Sequence, residues 1–371
     1  MRRLRMGMIG GGPGAFIGPV HRIAAELDRE IELVAGVFSA DAERSAAAGA
    51  AYRIDPARAY PSLPAMFAAE AARADGIDFV SVVSPNHHHL PAVQAALAAG
   101  LPVMSDKPMT ATLAEAQALA GAVTAARLPY ALTYTYSGYP LVREARARIA
   151  AGALGAIRKV VVEYPQGWLA GPAAGKQAEW RTDPARSGEG GCIGDIGVHA
   201  LHLAEFVTGL RVTELLADLA AVVPGRPLDD DCTVLLRFGN GARGVLLASQ
   251  IEVGEMNGLR IRVYGQTGGL VWRQETPNTL TLHSLDGRTE LIHAGGAQTG
   301  TDARAACRTP AGHPEGYLEA FANLYRDFAA VLRGGQAPLL PGVADGLRGM
   351  EFIHTAVAAS RDRAGWVPFT V

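Results

Sequence analysis

An apolar run, read as a strand over residues 5–9, ends in Gly10-Gly11-Gly12-Pro13-Gly14-Ala15, and a helical pattern opens at Phe16 directly behind it. Gly10, Gly12 and Ala15 fit the spacing G-x-G-x-x-G/A in a strand-turn-helix setting, which gives that spacing physical meaning. Glycines let the backbone approach a pyrophosphate, and the helix N-terminus offers N–H donors and a favourable dipole. A chain that begins this way is committed to β-α-β units and a parallel, doubly wound sheet. Further strands read near 31–37, 77–83, 101–105 and 129–133, with helices near 16–29, 62–73, 88–100 and 112–127. Thr112 with Glu115 predicts a capping box, and Gly100 a helix stop.

Past Pro140 the pattern changes. One more helix reads near 141–152, followed by strand-like runs broken by glycine turns. We therefore expect a dinucleotide-binding domain over 1–137 and an α+β domain with a large, mostly antiparallel sheet over 138–371. Gly239-Asn240-Gly241-Ala242 predicts a hairpin between 233–238 and 243–250. One face of these strands carries Val234, Leu236 and Phe238, and the other Leu235 with Cys232 nearby, so the second face suits another subunit, in a dimer or tetramer. Residues 294–312 lack periodicity and read as a long loop; helices near 314–332 and 342–361 and a short strand close the chain.

A chain of 371 residues, 49% hydrophobic and 19% charged, has material for two domains with ample cores. Its net charge of -2 creates no field for nucleic acid or an anionic membrane, and no apolar run approaches the roughly 18 residues of a spanning helix. The glycines at 10–12 break the stretch behind the basic start, against a secretory signal. Cys192, Cys232 and Cys307 are odd in number and far apart, which argues against a disulfide framework and for a reducing cytoplasm.

Chemistry gathers at a few points. Where a ribose-binding acid is expected after the second strand, Ser39 stands instead, with Arg44 one turn on, so NAD and NADP both remain open. Ser84-Pro85-Asn86-His87-His88-His89 follows the 77–83 strand and reads as a loop beside the cofactor, since adjacent histidines rarely aim at one metal ion. Asp106-Lys107-Pro108 follows the apolar 101–105 strand, at the carboxyl end where parallel sheets hold ligands, and Pro108 is a candidate for a cis bond. Gly190-Gly191-Cys192-Ile193-Gly194-Asp195-Ile196-Gly197-Val198-His199 sets an acid and an imidazole four apart, on one face if helical. That pair reads equally as a salt bridge, half a metal site or an oriented general base.

In this order the segments resemble the Gfo/Idh/MocA oxidoreductases, the family of glucose-fructose oxidoreductase and inositol dehydrogenase, over essentially the whole chain. The family's dinucleotide loop, Thr-Pro-Asn-x-x-His-like stretch, Glu-Lys-Pro and Gly-Gly-Gly-x-x-x-Asp-x-Gly-x-His correspond to Gly10–Ala15, Ser84–His89, Asp106–Pro108 and Gly190–His199. Trp180-Arg181-Thr182-Asp183-Pro184 is similar to its Trp-Arg-x-Asp-Pro segment. The resemblance implies an NAD(P)-dependent dehydrogenase of a sugar, inositol or polyol, in which Lys107, Asp195 and His199 converge on the substrate over the nicotinamide. His199 is then the base, Lys107 polarises the hydroxyl, and Asp195 orients His199 or grips a second hydroxyl. The sequence departs from the pattern at Asp106 for Glu, at His202 where many members have Asp, and at Ser39. Gln166, Trp168, Tyr136, Trp180, Arg181 and His313 are further candidates for lining the substrate site. The same fold can host an NAD-dependent glycoside hydrolase, and the residues alone do not separate it from a dehydrogenase.

Overall fold

The computed structural model describes residues 2–172 and 175–370. The chain forms two compact units, Met1–Tyr134 with Phe321–Leu347, and Thr135–Ala320 with Arg348–Val371. The single cut expected after residue 137 is thus corrected: a C-terminal segment returns to the first unit. Aromatic packing explains the return. Phe321, Tyr325 and Phe328 of helix Tyr317–Leu332 are buried; Phe328 meets Phe79 edge-on at 5.4 Å, and Phe321 and Tyr325 flank the His21 ring at 5.0 and 5.8 Å.

In the first unit β1 (Leu4–Gly10), β2 (Ile31–Val37), β3 (Phe79–Val83), β4 (Val103–Ser105) and β5 (Tyr130–Leu132) make a parallel sheet in the order β2-β1-β3-β4-β5. Each lies where the apolar runs predict it. Met6, Met8, Phe79, Val80, Val82 and Met104 are fully buried, as expected of strands covered by helices on both faces. Helices Ile17–Leu27, Leu63–Ala71, His89–Ala98 and Leu113–Ala126 match the periodic segments. Helix Ala42–Ala51, the helix in which Arg44 was expected, has alanines that give no contrast between faces; Asp41 starts it by accepting from Arg44 N. Both bonds of the Thr112–Glu115 capping box are present.

The second unit holds a nine-stranded sheet of β6 (Ile157–Pro165), β7 (Val212–Ala220), β8 (Asp231–Phe238), β9 (Arg243–Ser249), β10 (Arg260–Gly265), β11 (Gly268–Arg273), β12 (Thr279–Ser284), β13 (Thr289–His293) and β14 (Val367–Pro368). The order is β13-β12-β11-β10-β6-β9-β8-β7-β14. Only β6 and β9 pair in parallel; the other neighbours are antiparallel. Val160, Val162, Leu246, Ile261, Val263 and Leu270 alternate onto a buried face, which helices Pro140–Ala150 and Val198–Thr208 cover.

The predicted β8–β9 hairpin is present, with Phe238 N donating to Ala242 O. Two readings need revision. Strand period places Cys232 with Val234 on the buried face, away from Leu235, which is exposed. Residues 294–312 are not one structureless loop: helix Thr301–Ala306 buries Ala303 and Ala306, and Glu144 accepts from Gly300 N. Cys192 and Cys232, distant in sequence, interact in space as free thiols. Among the described residues no helix is long and apolar enough to cross a membrane.

A buried ion pair ties the part of helix Val343–Arg361 that belongs to this unit, from Arg348 on, to its sheet. Arg348 donates to both oxygens of Glu205 at 2.8 and 3.3 Å, and Glu205 also accepts from Val212 N at 2.8 Å. Arg348→Ala leaves Glu205 with only the exposed Arg211 as counter-charge, and urea unfolding should register a loss of about 3 kcal/mol, the low end for a broken buried pair.

Candidate active site

Three loops of the first unit emerge side by side because their strands are adjacent, parallel and in register. Gly10 pairs with Val83, Val82 pairs with Ser105, and Asp106 N donates to Val82 O. The first loop turns through positive φ at Gly10, Gly11 and Gly14 (96°, 73° and 76°). A Cβ on Gly12 would lie 2.4 Å from Phe38 O, and one on Gly10 would lie 2.8 Å from Ser84 N, so no side chain fits at either position. Ala15 N donates back to Gly12 O, Pro13 lies inside the turn, and Phe16, 59% exposed, caps helix Ile17–Leu27. Ser39, at the end of β2, stands 3.8 Å from that hypothetical Gly12 Cβ and accepts from Asp41 N, while Arg44 is exposed. The Ser84 hydroxyl is buried without a hydrogen-bond partner. A bare backbone cradle with an orphan hydroxyl beside it fits a dinucleotide pyrophosphate.

Behind Ser84 and Pro85 the chain makes a short turn, Asn86–His88, with Asn86 buried and the rings of His87 and His88 3.9 Å apart. His89 turns inward instead. Its Nδ1 lies 2.9 Å from Pro108 O and its Nε2 2.8 Å from Ser84 O, so it ties the second loop to the third. Burial lowers its pKa, against the pull of Asp106 and of the backbone carbonyls. Among the described residues no cluster of His, Cys, Asp and Glu could hold a metal ion.

In the third loop Asp106 Oδ1 accepts from Lys107 N at 2.9 Å and from Thr133 Oγ1 at 2.6 Å, and the wholly buried His21 brings Nε2 to 3.8 Å. His21 is braced from behind by Tyr325, whose hydroxyl is 2.7 Å from Nδ1. Burial works against the Asp106 charge, but His21, Lys107 and the Thr133 bond outweigh it and hold the carboxyl far below its ordinary range. The short acid thus has a partner at the end of β5 as well as on its own loop. The Lys107–Pro108 bond is cis, and Lys107 is half-buried.

In the second unit Asp229 holds the glycine-rich approach to the Asp195–His199 segment. Its carboxylate accepts from Gly191 N, Ile193 N and the Cys192 thiol at 2.6, 2.8 and 3.1 Å, and its own carbonyl accepts from Cys192 N. A Cβ on Gly191 would lie 2.0 Å from that carbonyl. The chain then makes a π-helical turn, Ile193–Gly197, before helix Val198–Thr208. Asp195 thus lies in the π turn and His199 in the helix that follows it. Asp195 Oδ2 accepts from Arg181 Nε at 3.2 Å and Gln250 Nε2 at 2.9 Å. The Arg181 guanidinium lies over Trp180 and Trp168, 4.3 and 5.9 Å from the ring centres. His199 is buried and edge-on to Tyr136 at 4.9 Å, with Tyr164 at 6.4 Å. Gln166 and Trp168 follow β6 in the same unit and bond each other. His202 stacks on Phe206, and the exposed His313 contacts Pro310 O in its own turn.

Against known proteins, residues 4–134 match the family described as "Oxidoreductase family, NAD-binding Rossmann fold", and residues 142–271 match "GFO/IDH/MocA C-terminal domain". An uncharacterized oxidoreductase of Bacillus subtilis, YfiI, is 33% identical, with 99% of this chain and 97% of that protein covered. The chain belongs to the Gfo/Idh/MocA oxidoreductases. An inositol dehydrogenase homologue from Azotobacter vinelandii, solved with NAD+, has the same fold at TM-score 0.95 and 36% identity, covering 99% of this chain and 98% of that one. A structure of an inositol dehydrogenase homologue from the same organism with NADH and myo-inositol gives TM-score 0.91 and 35% identity, covering 99% and 98%. The first unit of this oxidoreductase is accordingly an NAD-binding Rossmann fold.

In each unit the geometry brings in residues around the candidate groups that the motifs did not announce. His21 and Thr133 sit in ordinary helix and strand patterns, Tyr164 in a strand, and Asn257 in a turn. Asp229 was hidden in the run Asp229-Asp230-Asp231. Because the Asp106 carboxyl is more acidic folded than unfolded, its stabilisation is present above its ordinary pKa of 3.8 and disappears as pH falls through the lower, folded value. Asp106→Asn should therefore lose about 2 kcal/mol at pH 7 in urea titrations, with the gap from wild type narrowing below that ordinary value.

Proposed function

We propose that this protein is an NAD-dependent dehydrogenase that oxidises a secondary hydroxyl of a sugar, an inositol or a related polyol, or reduces the matching ketone. The observation that carries this reading is the setting of His199, a buried imidazole walled by Tyr136 and Tyr164, with the amides of Gln166 and Asn257 bonded in sequence beyond them. Aromatic faces and neutral amides suit a ring of carbon-bound hydroxyls. The names of similar proteins support it, among them a levoglucosan dehydrogenase from Pseudarthrobacter phenanthrenivorans, 27% identical over 76% of each chain.

When bound, NAD supplies the hydride acceptor. Loss of hydride from a carbinol carbon requires loss of the hydroxyl proton, and His199 takes it. Burial pushes the Tyr136 hydroxyl up to about 12 despite its bonds to Tyr164 and Asn257, so the tyrosine stays neutral and the proton goes to the imidazole. Lys107, its backbone fixed by Asp106, stabilises the oxyanion that develops on the same oxygen. Asp195, held by Arg181 and Gln250, orients His199 or grips a neighbouring hydroxyl.

We also infer a homo-oligomer formed through the uncovered face of the nine-stranded sheet, where Leu235, Tyr264 and Leu291 are exposed. Light scattering should give a dimer or tetramer, and Leu235→Glu with Leu291→Glu should shift it toward monomer.

A screen of sugars and inositols, read at the reduced-nicotinamide band, tests the activity. His199→Asn and Lys107→Ala should each lower kcat by about a hundredfold or more, with NAD affinity within about threefold of wild type. Undiminished turnover in either variant contradicts the assigned roles.

A further inference from the structure

Beside His199 lies a hydrogen-bond chain whose direction is fixed by chemistry. It begins at Trp168, whose indole N–H can only donate; it donates to Gln166 Oε1 at 2.9 Å. That contact orients the Gln166 amide and sends its NH2 group to Asn257 Oδ1, also at 2.9 Å. The Asn257 amide is thereby oriented too. Its Oδ1 accepts a second bond from the Tyr164 hydroxyl at 2.7 Å, and its Nδ2 donates to the Tyr136 oxygen at 3.3 Å. The two tyrosine hydroxyls touch each other. Since Tyr164 has spent its hydrogen on Asn257, Tyr136 must donate to Tyr164.

The result is a closed ring: Asn257 Nδ2 to Tyr136, Tyr136 to Tyr164, Tyr164 to Asn257 Oδ1. Each hydroxyl in it donates once and accepts once. Reversal would set the Gln166 and Asn257 NH2 groups against each other, and the Trp168 N–H prevents it. Tyr136 and Tyr164 are also the two rings against His199, at 82° and 58° to its plane. Fixing their hydroxyls fixes both walls of the imidazole.

We propose that Asn257 is a positioning residue for His199, acting through this one-way ring with Tyr136 and Tyr164, with Trp168 setting the direction. The inference deepens the dehydrogenase reading and rests on it for the reaction that His199 serves. In this role Asn257 does not touch the reacting atoms. It holds the base at one orientation, and such groups lose activity together when any one is removed.

The test uses the full chain with NAD, as wild type, Asn257→Leu, Tyr136→Phe, Trp168→Phe and the Asn257→Leu/Tyr136→Phe double variant. Three quantities are read: the His199 ring signal in histidine-labelled NMR spectra, assigned through His199→Asn, and kcat and KM on the best polyol. Breaking the ring at Asn257 or Tyr136 should shift or broaden the His199 signal and lower kcat about tenfold, with KM within about threefold and NAD binding unchanged. The double variant should lose no more than the worse single variant. Trp168→Phe should broaden the same signal as the amides become free to flip.

An unmoved His199 signal, or kcat losses that multiply in the double variant, overturns the proposal. If wild type turns over no polyol, the dehydrogenase reading fails by itself, and the His199 signal still decides the ring. A misfolded Asn257→Leu would be evident from its thermal melt, and Tyr136→Phe, which removes one oxygen from a retained ring, then carries the decision.

Discussion

The parallel register of β1, β3 and β4 is the constraint from which the cofactor unit follows. With β2 on one side of β1 and β3 on the other, the sheet has its switch point beside Gly10, where such sheets hold ligands. The glycine cradle, the orphan Ser84 hydroxyl and Lys107 all leave the carboxyl ends of neighbouring strands. A slip of one residue in β4 would turn Ser105 and Asp106 to opposite faces and separate Asp106 from Thr133 and His21. His89 then ties the loops together through Ser84 and Pro108, and the Tyr325 helix closes over His21, giving the polar cluster below Lys107 a dry surround. The partly buried Asp106 charge is tolerated because His21, Lys107 and Thr133 surround it.

The second unit reaches a similar end by different means. Its sheet supplies Tyr164 from β6 and Gln250 just past β9, two strands that pair in parallel in an otherwise antiparallel sheet. Asp229, just before β8, anchors the glycines that open the π turn. Single π turns are frequent at functional sites. Here Asp195, within the turn, accepts from Arg181 and Gln250, while His199 in the following helix packs against two tyrosines.

Sequence made the first unit legible because its signals are local. All five of its strands, four of its helices and the Thr112 box follow from periodicity and turn chemistry within short windows, as does the second unit's hairpin after Phe238. What escaped depended on distance along the chain. The return of Phe321–Leu347 is decided by aromatic packing onto Phe79 and His21, which no window around either segment contains. Helix Thr301–Ala306 was too short to show an apolar stripe. At the candidate site, Lys107, Asp195 and His199 stood out because charge beside apolar strand or glycine is conspicuous. Asn257, Asp229 and Tyr164 did not, because an amide in a turn, one acid among three and a tyrosine in a strand are ordinary until their partners are seen.

The proposed activity is net hydride removal from a carbinol carbon. Its most direct measurement follows the label: a polyol substrate deuterated at its carbinol carbons is incubated with the protein and NAD, and the reduced cofactor is isolated for NMR. The account predicts one deuterium at nicotinamide C4 for each ketone formed. Product that accumulates without deuterated, reduced cofactor in solution would contradict it.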